Sequence, residues 1–268
     1  MENDFLGRRG MRSNRLTRPG GGRIRAQGGD IVAAKAFSRK QAIFNEKANQ
    51  YANSGIITTP GYLRLESLAP TTAVSQFSFN TLDTSGVKTS TERRLKLADT
   101  FTITDLSFYL GNGACTANAP TAAEYASQRL YTFPNSAHTA TSGINAAVAT
   151  LLEAVYNGFL TVRVDTTTFI DSLPMRQFYR VGTSQQGVGP TTVINRDEFP
   201  LSMYGKTELL PTIELNGQSN IEITITLPNA TICSASTTAF FVNMVVIAQG
   251  FLNQGAATNQ RSLQRSLR

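Results

Sequence analysis

The chain has 268 residues, 41% hydrophobic and only 16% charged, a balance that excludes wholesale disorder and suits one large domain or two small ones with a real core. Its formal net charge is +7, and it holds one histidine, two cysteines and no tryptophan. No apolar run approaches the ~20 residues needed to cross a bilayer, and the N-terminus lacks the hydrophobic stretch of a secretory signal, so neither an inserted nor a secreted protein is expected.

The first element in chain order is basic. Between Arg8 and Arg25 the stretch "RRGMRSNRLTRPGGGRIR" carries seven arginines (Arg8, Arg9, Arg12, Arg15, Arg18, Arg23 and Arg25), four glycines, one proline and no acid. Glu2 and Asp4 precede it, so residues 1–29 hold +5, while residues 257–268 add Arg261, Arg265 and Arg268 without an acid for a further +3. Of the total of +7, this leaves −1 for residues 30–256. Arginine on Gly- and Ser-rich backbone with few apolar anchors suits contact with phosphate and offers no sequence readout. Residues 1–29 therefore read as a flexible Arg-rich arm and 257–268 as a basic tail. A solubility tail or a targeting signal is the plainer alternative, although Glu2, Asp4 and the three glycines at 20–22 argue against the amphipathic helix of a transit peptide.

A helical segment is expected over 30–53, with Asp30 as its cap and Ile31, Ala34, Phe37, Phe44, Ala48 and Tyr51 near one stripe. Lys35, Arg39, Lys40 and Lys47 fall on other faces. The stripe can pack on the domain's own core or on a neighbouring subunit. From Gly55 the period shortens to that of strands: 62–68, 74–82 and 99–113 alternate apolar and polar residues. In the last of these Phe101 and Ile103 keep one phase and Leu106, Phe108 and Leu110 the other, which predicts a bulge near Asp105. A strand ending at a Pro-Asn turn follows in 129–135. The spacing then predicts one clear helix over 142–158, capped by Ser142 and stopped by a left-handed Asn157-Gly158. Strands are expected again at 159–165, 175–181, 209–217, 220–228 and 239–248, with Ile221, Ile223, Ile225 and Leu227 facing one way.

The total is roughly nine to eleven strands with sandwich-like spacing and no βαβ alternation. The expected fold is mainly β: an antiparallel two-sheet sandwich of jelly-roll type over 54–256, with one inserted helix, an N-terminal helix and flexible basic termini. Two stacked jelly rolls would need about sixteen strands. A single sandwich is preferred, because the loop at 183–200 is long.

Catalytic and metal chemistry find little support. His138 lies in a loop without a nearby acid, and as the only histidine it cannot build a His-based metal site. Cys115 and Cys233 belong to no CxxC or Cys/His cluster and read as reduced structural residues. "YGKTELL" at 204–210 echoes the end of a phosphate-binding loop, but the first glycine of that motif would fall at Pro200 and Thr207 leads into a strand. Asp197 and Glu198 adjoin Arg196 in a polar loop, and the sequon at Asn229 matters only in a secreted protein. No enzyme and no cofactor is expected.

An Arg-rich arm, a short helix and a near-neutral sandwich with long loops together resemble the jelly-roll coat proteins of icosahedral viruses. "LYTFPN" (130–135), "LLEAVYNGFLTVRVD" (151–165) and "PTIELNGQSNIEITITLP" (211–228) look similar to bacteriophage virion proteins. The resemblance implies a capsid protein that assembles as a homo-oligomer of many copies, made in the host cytoplasm and located in the virion, with other virion proteins as further partners. It implies that the ten terminal arginines bind packaged nucleic acid without sequence preference, with no catalytic residue and no metal. It leaves open the type of genome and any membrane partner. Glu2, Asp4, Phe5 and Leu6 depart from an all-basic arm, which admits an alternative in which the arm clamps neighbouring subunits. The alternative functions are another virion component (tail, spike or penton) and a cellular nucleic-acid-binding module.

Overall fold

The structure, a computed structural model, describes residues 28–51, 54–69, 73–84, 86–116, 120–134, 152–180, 205–232 and 240–257. The chain divides into two compact units, Met1–Ala42 and Ile43–Arg268. In the first, the described residues are the leading part of helix α1 (Gly28–Tyr51), which starts two residues before Asp30 and places that residue in the first turn instead of at the cap. The second unit holds the rest of α1 and all the described strands.

Nine strands are described: β1 (Thr58–Leu68), β2 (Ala73–Phe79), β3 (Thr100–Ala114), β4 (Arg129–Tyr131), β5 (Phe159–Val164), β6 (Thr167–Pro174), β7 (Lys206–Asn216), β8 (Ile221–Ile232) and β9 (Phe240–Asn253). One sheet runs β1-β9-β3, with β7 and the short β4 sharing the far edge of β3, and the other runs β2-β8-β5-β6. All pairings are antiparallel. Setting β4 aside, the strands pair from the outside of the sequence inward: β1 with β9, β2 with β8, β3 with β7, β5 with β6. That is a long hairpin rolled up, and the β9-β3 and β8-β5 seams close it into the jelly roll. The fold is thus the two-sheet sandwich that the alternation of the sequence implies.

The core lies between the sheets. Ile221, Ile223, Ile225 and Leu227 of β8 point inward as expected and meet Phe77 and Phe79 of β2, Leu160 and Val162 of β5, and Val242, Met244 and Val246 from the opposite sheet. Phe101 and Ile103 enter the core in one phase and Leu106, Phe108 and Leu110 in the other, because the register of β3 against both β7 and β9 breaks between Ile103 and Asp105. Gly250 of β9 sits opposite Ile103 beside this break, and a Cβ on it would fall inside the Thr102 carbonyl oxygen.

Other expectations need correcting. The strand expected at 175–181 is a 3-10 turn, Met175–Phe178, followed by extended chain. Met175 and Phe178 are three apart, the 3-10 period, and both are buried on the same side. The strand of this region is instead β6, an edge strand whose exposed, Thr-rich sequence shows no alternation. A helix not expected from the sequence, α2 (Ala122–Ser127), opens with a reciprocal capping box between Thr121 and Glu124. The backbone N–H of Thr121 holds the Glu124 carboxyl below its usual range. Of the helix expected at 142–158, residues 142–151 lie outside the described residues, Leu152 and Glu153 are helical as expected, and 154–157 tighten into a 3-10 turn. Gly158 ends it in an extended conformation, not the left-handed one, and glycine fits there because a Cβ would press on the Thr226 carbonyl at 2.8 Å.

The C-terminal part of α1 packs on its own sandwich. Phe44 meets the Phe251 ring at 5.5 Å, and Tyr51 is buried. Lys47, expected on another face, lies on the same one and bonds the Glu214 carboxylate of β7 at 2.6 Å. Phe37, farther up the stripe, is 71% exposed.

Gly250→Ala is expected to cost about 3 kcal/mol, since backbone and not a movable side chain blocks the methyl group. Denaturant unfolding should give a lower midpoint with an unchanged slope.

Candidate functional site

The ten arginines expected to contact nucleic acid (Arg8, Arg9, Arg12, Arg15, Arg18, Arg23, Arg25, Arg261, Arg265 and Arg268) lie outside the described residues, as do His138, Asp197, Glu198 and Cys233. Cys115 is buried. Gly205, at φ +67°, turns the chain into β7, and Lys206 of that strand donates to the Gln249 side chain at 2.9 Å, so "GKT" here opens a strand. Among the described residues no group of three His, Cys, Asp or Glu side chains is gathered, and no helix is long and apolar enough to cross a membrane.

The structure brings together a polar site that the sequence reading missed. The two sheets differ in their outer faces. β8 and β5 alternate buried and exposed residues, so the second sheet turns polar side chains, with Phe159 and Phe169 among them, to solvent. β3 and β9 are buried on both sides along most of their length. Behind one end of that sheet, on the face of β1 opposite its core residues Leu63 and Leu65, stand Arg64 and Glu66.

The Glu66 side chain is 1% exposed and its carboxylate accepts from five donors. These are Arg64 Nε (2.7 Å), Thr91 Oγ1 (2.7 Å), Thr89 Oγ1 (3.1 Å), Gln128 Nε2 (3.1 Å) and Asn243 Nδ2 (2.8 Å). The donors come from β1, from the loop after β2, from the end of α2 and from β9. A second buried pair adjoins it: Arg94 Nη2 bonds Glu92 Oε2 at 2.6 Å, and Glu92 also accepts the backbone N–H groups of Glu66 and Thr89. Arg64, Glu66, Glu92 and Arg94 together are charge-neutral, which is what burial demands. Tyr125 of α2 packs on Phe241 and faces these acids. Burial, aided by the charges of Glu66 and Glu92, pushes its hydroxyl up to about 12.

This clamp fixes the loop beside β1. Arg93 and Arg64 exchange backbone hydrogen bonds of 2.9 Å, and Leu95 drops into the core. Alternation along this extended stretch sends Glu92 and Arg94 inward and leaves Arg93 exposed. A groove of about 300 Å³ results, its floor made by Leu63, Leu95, Phe101 and Leu252. Its rim carries Tyr62, Asp83, Lys88, Arg93 and Lys96. The Arg93 guanidinium lies 5.1 Å from the centre of the Tyr62 ring, which is 44% exposed. Lys88 bonds Asp83 at 2.6 Å and holds that carboxyl below its usual range, with Lys96 and Arg94 adding to the effect. Asp99 also lines the groove; it is buried, and its Oδ1 accepts the Gly255 N–H. Among the described residues, Arg93 and Lys96 form no ion pair.

Comparison of the chain with protein-family models, with curated proteins and with solved structures returned no match.

Glu92→Ala leaves Arg94 buried without its carboxylate and is expected to cost about 3–5 kcal/mol in denaturant unfolding. Arg163→Gln, which breaks a half-exposed 3.7 Å pair with Glu222, should cost under about 1 kcal/mol. A second outcome concerns alkaline pH. The folded state holds the Tyr125 proton above the ordinary tyrosine value of about 10, so the stability tied to it is complete below that pH and is lost as pH rises toward about 12. In Tyr125→Phe, thermal unfolding followed across that window should show a shallower decline.

Proposed function

We propose that the protein is a virion shell protein whose sandwich tiles with copies of itself while its Arg-rich termini hold packaged nucleic acid. The observation that carries this reading is the separation of charge: +5 in residues 1–29, +3 in residues 257–268 and −1 in the interval that contains every described strand. Many copies of a strongly charged wall would repel one another, whereas cations on the ends can be placed where a polyanion balances them. Among the described residues, the second sheet of the sandwich turns the alternate side chains of β5 and β8 outward, where neighbours can meet it, which supports the same reading. The arginines then act as phosphate counter-charges, without base readout. On this reading the chain works in the virion and carries out no reaction.

The groove at Tyr62 favours a second reading, a nucleic-acid-binding module acting outside any shell, since an aromatic ring beside cations is what such a module displays. The two readings part at self-assembly, which only the first requires.

The role of the termini is tested by measuring nucleic-acid affinity against salt for the full chain and for a variant with Arg8, Arg9, Arg12, Arg15, Arg18, Arg23 and Arg25 replaced by glutamine. Each phosphate contact removed should reduce the slope of log affinity against log salt by about 0.9 on duplex DNA or about 0.7 on single strands. A fall of several units is expected. An unchanged slope would remove the genome-binding role of the arm.

A further inference from the structure

We propose that the groove beside β1 is a docking site for single-stranded nucleic acid, with one base stacked on Tyr62 and the adjoining phosphates held by Lys88, Arg93 and Lys96. This inference rests on nucleic acid being the partner of the shell protein, and it adds a contact made by the folded sandwich to those made by the termini.

Three observations carry it. The first is the Tyr62 and Arg93 pair: an exposed ring with a guanidinium 5.1 Å from its centre offers a π-face and a cation side by side, the combination on which single strands stack without sequence preference. The second is electrostatic. Lys88, Arg93 and Lys96 line the groove against two carboxylates, Asp83, which pairs with Lys88, and Asp99, whose Oδ1 accepts the Gly255 N–H. A phosphate entering the groove therefore meets net positive charge. The third is fixity. Arg93 is set by its backbone bonds to Arg64, and its neighbours Glu92 and Arg94 are locked into the buried clamp, so the rim does not have to be ordered when a ligand arrives. The apolar floor suits the face of a base, and a base must leave its stack to reach it. The occupant is therefore a single strand and not a duplex.

The test uses the full chain and an oligothymidylate in which some bases are 5-bromouracil. After irradiation, the adducts are mapped by mass spectrometry. An adduct on the peptide that contains Tyr62 is expected beside adducts in residues 1–29 and 257–268. Tyr62→Ala should abolish the groove adduct and weaken a short oligonucleotide by roughly 5- to 100-fold, the size of one lost base stack, while Tyr62→Phe keeps both. Replacing Arg93 and Lys96 together by glutamine should reduce the salt slope by about 1.4, two single-strand contacts. All three substituted side chains are exposed, so unfolding midpoints should stay at the wild-type value and separate lost binding from lost fold. Adducts confined to the termini would overturn the groove and leave the shell reading intact. No adduct anywhere would overturn both. A third outcome also defeats the proposal: the acidic peptide of residues 1–7, added in excess, occupies the groove while the oligonucleotide stays on the termini, which would make the occupant a neighbouring chain.

Discussion

A carboxylate buried behind a sheet has to be matched group by group, and Glu66 is matched by five donors drawn from four separate parts of the chain. Its partners set the position of the loop after β2, of α2 and of the adjoining stretch of β9. The Glu92 and Arg94 pair completes the arrangement without net charge, which offsets part of the desolvation cost of burying these ions. From this clamp follow the exposed position of Arg93, the burial of Leu95 and the groove between them and β1. The same end of the jelly roll thus contains both these buried polar groups and the exposed Arg93 and Lys96.

The two outer faces of the sandwich have different consequences. The sheet led by β1 is closed over by the clamp, by α2 and by the C-terminal part of α1, which leaves it little surface to share. The second sheet keeps a row of threonine and serine side chains and the Arg163 and Glu222 pair in solvent. A wall that is nearly neutral can meet copies of itself without Coulomb penalty, and that leaves the net positive charge to residues 1–29 and 257–268. The shell proposal joins these facts into one account: packing decides where charge cannot stand, and the termini carry what is left.

Much of this fold was legible in the sequence because its strands are half-buried and alternate. The phase change between Ile103 and Leu106 announced the bulge that the register of β3 shows near Asp105. Edge strand β6 was not legible, since a strand with one free edge and little burial has no reason to alternate. At Met175 and Phe178 a spacing of three was present and was read with the wrong period. The capping box of α2 was also there to be seen in Thr121 and Glu124, but a helix of six residues carries too weak a stripe to draw notice. The clamp was hidden for a different reason. Glu66 and Asn243 are 177 residues apart, and only the β1 and β9 register brings them together. A local sign did exist: Arg64 with Glu66 and Glu92 with Arg94 are opposite charges two residues apart in extended chain, which puts each pair on one side.

The measurement that bears most directly on the shell account is the size of the purified full chain, followed by electron microscopy and sedimentation as nucleic acid is added at low salt. Closed particles of uniform diameter, or large symmetric rings, are the predicted result. A protein that stays monomeric at every concentration, with or without polyanion, would contradict the claim that this quiet wall exists to meet itself.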